Sequence, residues 1–306
     1  MSDDQPKIWF NGEVVPWNEA NVHVLTHTLH YGLGAFEGIR AYKCSNGKSA
    51  VLKLTEHIQR LYSSAHVAGI EIPYAIETLC SAVVDILREN ELEEAYIRPI
   101  VFIGPGKKGI LPGDNVINVA IAVWPWGTYL GDDAITNGIR AKISSFTRMN
   151  INSFMTKAKI CGNYVNSVMA RQEAADLGFD EGILLDSEGY VAEGSGENIF
   201  IVRNGTLKTP PLTSILEGIT RKCVLDLAED ENIPVKEQCF TRDELYIADE
   251  AFFTGTAAEV TPIKEVDNKK IGSGKPGDIT KKLQKRYFAV IKGEDAKFEH
   301  WLDYIP

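Results

Sequence analysis

Two hydrophobic periods alternate along the chain. Residues 56–68 place Ile58, Leu61 and Ala65 on one face, and residues 77–89 do the same with Leu79, Val83, Ile86 and Leu87. This is the three-to-four spacing of an amphipathic helix. Residues 97–103 and 116–124 are instead short apolar runs, rich in β-branched side chains and bounded by Gly, Pro or Asn, which reads as buried strands. The first part of the chain is therefore expected to be α+β. Further on, the same criteria predict strands at 139–146, 182–186 and 198–202, and helices at 164–177, 219–229 and 278–291. DSEG at 186–189 and RNGT at 203–206 carry the Gly and Asn chemistry of hairpin turns.

WPWGTYLGDD at 124–133 breaks both periods with proline, glycines and acids. Residues 124–136 are expected to link a small N-terminal domain, 1–123, to a larger C-terminal domain, 137–306. A chain of 306 residues, 44% hydrophobic, buries enough surface for two packed lobes with a cleft. No repeat or low-complexity tract is visible.

Composition narrows the chemistry. The formal net charge of -10 argues against nucleic acid, whose phosphates call for a basic footprint, and favours small-molecule substrates. The five cysteines are odd in number and widely spaced, with no C-x-x-C pair, which reads as reduced thiols in a cytoplasmic protein. The acidic start, MSDD, lacks the basic and apolar regions of a signal peptide. No apolar run is long enough for a membrane-spanning helix, so no membrane partner is expected.

Several segments carry candidate chemistry. Lys159, in MTKAKICGNY at 155–164, sits among small or apolar residues that would desolvate its amine and free it for Schiff-base chemistry. Lys157, two positions earlier, is an equally good candidate on these grounds. At 193–198, EGSGEN bends through two glycines, allowing close approach of a flat ligand while Glu193 projects a carboxylate. That carboxylate would hold a pyridine nitrogen protonated; the plain alternative is a glycine turn with exposed acids. EGIT at 217–220 opens a helix, so its amides and the Thr220 hydroxyl would suit a phosphate. GTAA at 255–258 is a second compact turn with free amides, suited to phosphate or a carboxylate.

Other patterns are discounted. His23, His27 and His30 have helical metal-ligand spacing, but their neighbours suggest extended structure and no carboxylate is close, so no metal is expected. GSGKP at 272–276 lacks the full phosphate-loop spacing and reads as a surface turn. Lys281, Lys282, Lys285 and Arg286 read as the solvated face of a helix whose Ile279, Leu283 and Tyr287 point inward.

Together these segments resemble the class IV aminotransferases of pyridoxal-phosphate fold type IV, especially the branched-chain amino acid aminotransferases. The likeness runs nearly end to end, through HYGLGAFEGIR at 30–40, HIQR at 57–60, YIRP at 96–99, PWGTY at 125–129, KICGNY at 159–164, EGSGEN at 193–198, GIT at 218–220 and GTAAE at 255–259. Any one is weak; eight in order are specific. The resemblance implies an α+β / α/β two-domain, D-amino acid aminotransferase-like fold. A small N-terminal α/β domain would precede a larger C-terminal domain with a mixed β-barrel-like core.

The resemblance also selects Lys159, which precedes Gly-Asn-Tyr, as the catalytic lysine forming the Schiff base with pyridoxal 5'-phosphate and shuttling the proton. Glu193 would pair with the pyridine nitrogen and Tyr164 with the phenolic oxygen. Arg60, Ile219, Thr220 and Thr256 would hold the phosphate, and Gly196, Glu197, Asn198, Leu216, Gly218 and Gly255 complete the implied cofactor site. For substrate, Tyr31, Phe36, Gly38, Tyr96, Trp126, Tyr129 and Tyr164 would form the side-chain pocket. Arg98 would meet a distal carboxylate, and Thr256, Ala257 and Ala258 the α-carboxylate. The implied reaction moves the amino group of L-leucine, L-isoleucine or L-valine to 2-oxoglutarate by a ping-pong route, in a homodimer or higher homo-oligomer.

The sequence departs from the family pattern at Ile160 and Cys161, where small residues are expected, and in GPGKKGILP at 104–112, a region that in this family reaches toward a neighbouring subunit. Alternatives are a D-amino acid or (R)-amine transaminase of the same fold, an aminodeoxychorismate lyase, and a non-catalytic binding protein that has kept the fold.

Overall fold

The computed structural model describes residues 6–127 and 131–306. The chain divides into two compact units. The first comprises the chain up to Trp126, Ala158–Asn163 and Ile291–Pro306; the second comprises Gly127–Lys157 and Tyr164–Val290.

The first unit is built on a sheet of eight strands among the described residues. Its path runs Leu302–Tyr304, Ser49–Leu52, Ile39–Lys43, Ala95–Ile103, Ile117–Trp124, Lys7–Phe10 and Glu13–Pro16, with Gly34–Phe36 also paired to Ala95–Ile103. The helices Leu54–Val67 and Ile76–Glu89 bury the predicted stripes, Ile58, Leu61 and Ala65 on one and Leu79, Val83, Ile86 and Leu87 on the other. These join Ile97, Val101, Val119 and Ile121 of the central strands in one core, which is what period-3.6 and continuous apolar patterns produce when a helix layer covers a sheet. Gly34–Phe36 and Ile39–Lys43 pair with opposite ends of the same strand. The chain between them is pinned by the Glu37 amide, which donates to the Pro99 carbonyl at 2.8 Å. That break in the ladder delivers Glu37 and Gly38.

The second unit contains a closed barrel of six strands. Val191–Gly194, Glu181–Leu185, Ile139–Thr147, Glu259–Val266, Glu250–Gly255 and Asn198–Arg203 follow one another, and Glu193 paired with Asn198 closes the ring. Ile139–Thr147 runs parallel to both its neighbours while the other barrel pairs are antiparallel. This is the mixed barrel that the resemblance implies. Tyr164–Asp176 makes the crossover between the parallel strands Ile139–Thr147 and Glu181–Leu185, a connection too long for a hairpin.

Four expectations need correction. The domains are not two contiguous stretches: Ile291–Pro306 belongs to the first unit because Leu302–Tyr304 completes its sheet against Ser49–Leu52. Ala158–Asn163 joins it because Ile160 bridges to Ala35 and the Lys159 carbonyl accepts the Phe36 amide at 3.1 Å. The expected linker is partly helical, over Asp132–Asn137. The histidine segment is not extended either: His27–Tyr31 is a short helix closed by Gly32 at φ 70°, a left-handed geometry that suits glycine. His27 Nε2 lies 3.1 Å and 3.2 Å from the carbonyls of Gly109 and Ile110, and His30 Nε2 lies 2.9 Å from that of Val24. Finally, Arg286 is not simply solvated but pairs with Asp230 at 2.8 Å and with Glu231. Among the described residues no helix is long and apolar enough to cross a membrane.

Candidate active site

The residues singled out from sequence fall into two groups, one in each unit.

In the first unit, the turn carrying Lys159 is tied down on three sides. The Lys159 amide donates to Ser64 Oγ at 2.9 Å, the Asn163 side chain donates to the Ala158 carbonyl at 3.2 Å, and the Gly162 amide donates to the Gly32 carbonyl at 2.9 Å. Lys159 Nζ lies 4.8 Å from the centre of the Phe36 ring. Arg98 lies 4.9 Å from the same ring, 5.2 Å from Tyr96 and 5.9 Å from Trp124. Trp126 completes the wall, 5.1 Å from Tyr96. Phe36, Tyr96, Arg98, Trp126 and Lys159 are thus brought together. Gly38 is required beside them, since a Cβ there would lie 2.0 Å from Tyr96 Oη. Tyr96 Oη in turn accepts Arg98 Nη2 at 3.3 Å, and Arg98 Nε is buried with no hydrogen-bond partner among the described residues. Such an orphaned donor against aromatic rings suits a planar carboxylate. Tyr31 is half exposed on its short helix beside His27, and Tyr129 lies outside the described residues.

Arg60 is held by an acid that sequence reasoning did not single out. Its Nε and Nη2 donate to Glu37 at 2.7 Å and 2.9 Å, and His57 Nδ1 is 2.8 Å from the same carboxylate. Glu37 is fully buried. Burial alone would raise its pKa, but Arg60 and His57 outweigh it and hold the carboxyl well below the usual range; burial pushes His57 below its ordinary value. The available signal was a lone carboxylate in the otherwise apolar GAFEGI run.

In the second unit, the Glu193 carboxylate is enclosed. Oε1 is 2.5 Å from Arg148 Nε. Oε2 accepts Asn198 Nδ2 at 3.1 Å and the Leu216 amide at 3.2 Å. Asn198 Nδ2 also donates to the Leu216 carbonyl at 2.9 Å, and a Cβ on Gly218 would lie 1.9 Å from Asn198 Oδ1. Glu193, Asn198, Leu216 and Gly218 therefore form one cluster running into the Ile219–Asp230 helix. That helix starts at Gly218 without a side-chain cap, leaving the Ile219 and Thr220 end suited to a phosphate. Gly255 leads into Thr256, Ala257 and Ala258, whose turn is fixed by Thr261 Oγ1 donating to the Ala258 carbonyl at 2.6 Å. Gly196 and Glu197 sit between Glu193 and Asn198 in the hairpin, and Tyr164 begins the Tyr164–Asp176 helix. Arg148 was not anticipated, as nothing in its local sequence marks it.

Lys157 behaves differently from Lys159. Local desolvation draws its amine below the usual value, yet its ammonium donates to the Leu212 carbonyl and lies 3.5 Å from that of Ile215. Its role is to hold the segment preceding Leu216. The departures at Ile160 and Cys161 are accommodated, Ile160 by its bridge to Ala35 and Cys161 by Gly34, whose Cβ would lie 3.3 Å from Cys161 Sγ. Among the described residues no group of three or more His, Cys, Asp or Glu is placed to hold a metal ion.

The sequence model for amino-transferase class IV matches residues 34–266. The chain belongs to the class IV aminotransferases. A branched-chain-amino-acid aminotransferase of Pseudomonas aeruginosa is 51% identical over 301 residues, covering 98% of each chain. Among solved structures, the Escherichia coli branched-chain amino acid aminotransferase superposes with a TM-score of 0.96 at 44% identity, covering 99% of this chain and 100% of that one. The branched-chain amino acid aminotransferase from Thermobaculum terrenum, solved in its PLP-form, gives a TM-score of 0.93 at 35% identity and covers 100% of each chain. As a class IV aminotransferase, the chain is an enzyme of the transaminase type with the family's pyridoxal phosphate cofactor. The uncapped helix start, the enclosed Glu193 carboxylate and the amine over Phe36 are each of a chemistry that fits this group.

Proposed function

We propose that this transaminase exchanges the amino group between L-leucine, L-isoleucine or L-valine and 2-oxoglutarate, giving the 2-oxo acid and L-glutamate. The observation that carries this reading is Phe36, whose ring lies 4.8 Å from the Lys159 amine and 4.9 Å from the Arg98 guanidinium. One aromatic surface beside the reacting amine accepts an aliphatic side chain, and the cation resting on it accepts the second carboxylate of glutamate. The names of the similar enzymes from P. aeruginosa, E. coli and T. terrenum support the same substrates.

When bound, pyridoxal phosphate supplies an electron sink for the pair left by breaking the substrate's Cα–H bond. Lys159 Nζ takes that proton and returns it during each half-reaction. Glu193 accepts the hydrogen bond of the pyridine nitrogen, and Arg148, Asn198 and Leu216 keep its carboxylate aimed. Ile219, Thr220, Thr256 and Arg60 hold the phosphate, and Tyr164 the phenolic oxygen. The Thr256, Ala257 and Ala258 turn receives the α-carboxylate. Tyr31 and Tyr129 join Arg98 in meeting the distal carboxylate. Ile110 and Leu111, 84% and 72% exposed, support a homodimer or larger homo-oligomer in which this loop contacts a neighbouring copy. The cytoplasm is the proposed compartment.

The test follows the visible absorbance of the holoenzyme. L-leucine should lower it and 2-oxoglutarate restore it, and Lys159→Ala should lose both changes. A response to D-alanine or a simple amine, without one to L-leucine, would overturn the substrate assignment.

A further inference from the structure

Three buried carboxylates and two guanidiniums gather around the hairpin that closes the barrel. Glu193 pairs with Arg148 at 2.5 Å, and Glu181 pairs with Arg171 at 3.3 Å. Glu181 also accepts the Ser195 hydroxyl at 2.6 Å and the Gly182 amide at 2.7 Å. Glu197 has no ion pair among the described residues, and its carboxyl accepts only the Gly196 amide, at 3.0 Å. The charges therefore match with one acid left over.

The leftover acid is wedged between two glycines. A Cβ on Gly194 would lie 2.8 Å from Glu197 Oε2, and a Cβ on Gly255 would lie 3.2 Å from Glu197 Cγ. Both glycines are spaces that the Glu197 side chain fills. Through Gly255, Glu197 abuts the start of the turn to which the substrate α-carboxylate has been assigned, so this inference rests on that assignment. An ionised acid there would repel the incoming carboxylate, whereas an uncharged one keeps the shape without the repulsion.

We infer that Glu197 is held as a neutral carboxylic acid and is a positioning residue, setting the Gly255 to Ala258 turn for a substrate carboxylate. Burial, and next the negative charge of Glu181, push its carboxyl well above 4.5; Glu193 adds to this, while the Gly196 amide and Arg171 oppose it. An acid kept neutral by burial and a like charge is the arrangement in which a carboxyl donates, not only accepts, a hydrogen bond.

The experiment compares holoenzyme with Glu197→Gln, Glu197→Asp and Glu181→Gln. The infrared difference spectrum between the protein and Glu197→Gln at neutral pH should contain the C=O stretch of a protonated carboxylic acid; carboxylate bands in its place overturn the inference. In kinetics, Glu197→Gln should raise KM for L-leucine by no more than about threefold, because an amide preserves volume, and Glu197→Asp by about tenfold or more, because a methylene is lost. The reverse order marks a carboxylate and refutes a neutral wedge. Glu181→Gln does not depend on the first variant folding: removing the neighbouring charge should make the acid band titrate away at lower pH, and an unchanged titration counts against the inference. The infrared arms read protonation alone, so they stand even if L-leucine is not turned over, the result that would sink the proposed substrate.

Discussion

Arg148 and Glu193 form an ion pair at 2.5 Å with both side chains nearly excluded from solvent. Removing one partner of such a pair strands a buried charge, at about 3–5 kcal/mol. Arg148→Met should therefore lower the melting temperature by several degrees and, on the role proposed for Glu193, reduce kcat by well over tenfold, because the carboxylate loses the partner that fixes its direction. Arg148→Lys, which keeps charge but not the guanidinium geometry, should recover part of the melting temperature and less of kcat. Equal recovery of both would mean that Arg148 acts on folding alone.

Lys157→Met separates the two lysines of the motif. The Lys157 ammonium binds the Leu212 carbonyl in the segment that leads to Leu216 and the Ile219–Asp230 helix. Its removal should leave the visible absorbance of the bound cofactor intact but weaken cofactor affinity about fivefold, the scale of one exposed charge-assisted bond near 1 kcal/mol. Abolition of the absorbance in this variant, with retention in Lys159→Ala, would transfer the catalytic role to Lys157.

Gly38→Ala probes the substrate wall. The added Cβ would lie 2.0 Å from Tyr96 Oη, which anchors Arg98 Nη2 at 3.3 Å. Tyr96 must move, and Arg98 loses its hydroxyl partner. KM for 2-oxoglutarate should rise by about tenfold or more, on the scale of a lost charged hydrogen bond, with a smaller rise for L-leucine, which does not use Arg98. A uniform change in both would show that the displacement disturbs the aromatic wall and not the carboxylate contact.

What the sequence made legible was local. Ile58, Leu61 and Ala65 announced a helix because their spacing is dictated by the helix itself, and the two glycines of EGSGEN announced a bend with room for close approach, while Gly218 and Gly255 were read only as parts of a helix start and a compact turn. Glu197 and Asn198 turned out to be what approaches Gly194, Gly218 and Gly255. The ion pairs were not legible, since Glu37 to Arg60, Arg148 to Glu193 and Arg171 to Glu181 join residues whose proximity is created by tertiary packing, of strand on strand and of helix on sheet. The same holds for Leu302–Tyr304, a strand too short to show a period that becomes one only because Ser49–Leu52 offers an edge. The choice of Lys159 came from a motif; the bond that occupies Lys157 is a tertiary contact.

The Glu37, His57 and Arg60 cluster predicts how the first unit responds to acid. Glu37 titrates below its ordinary 4.5 in the folded state because Arg60 and His57 together outweigh burial, and His57 titrates below 6.5 because it is buried. In both cases the unfolded chain binds protons more readily, so stability rises with pH across each window. The contribution of Glu37 is complete above 4.5 and is lost as pH falls toward its folded value; that of His57 is complete above 6.5 and is lost on acidification below it. Glu37→Gln, which leaves the buried His57 and the partly buried Arg60 without their acid, should cost about 3 kcal/mol near neutrality. Glu37 also raises the His57 pKa, so the two proteins are compared in a His57→Gln background; there the gap in urea unfolding should stay constant down to about pH 5, as the unfolded carboxyl begins to take up protons only near 4.5, and then narrow steadily. A gap that widens as pH falls from 7 toward 5 would mean that Glu37 is not ionised in the folded protein near neutrality, and the reading of Arg60 as a cation held by that carboxylate would fall with it.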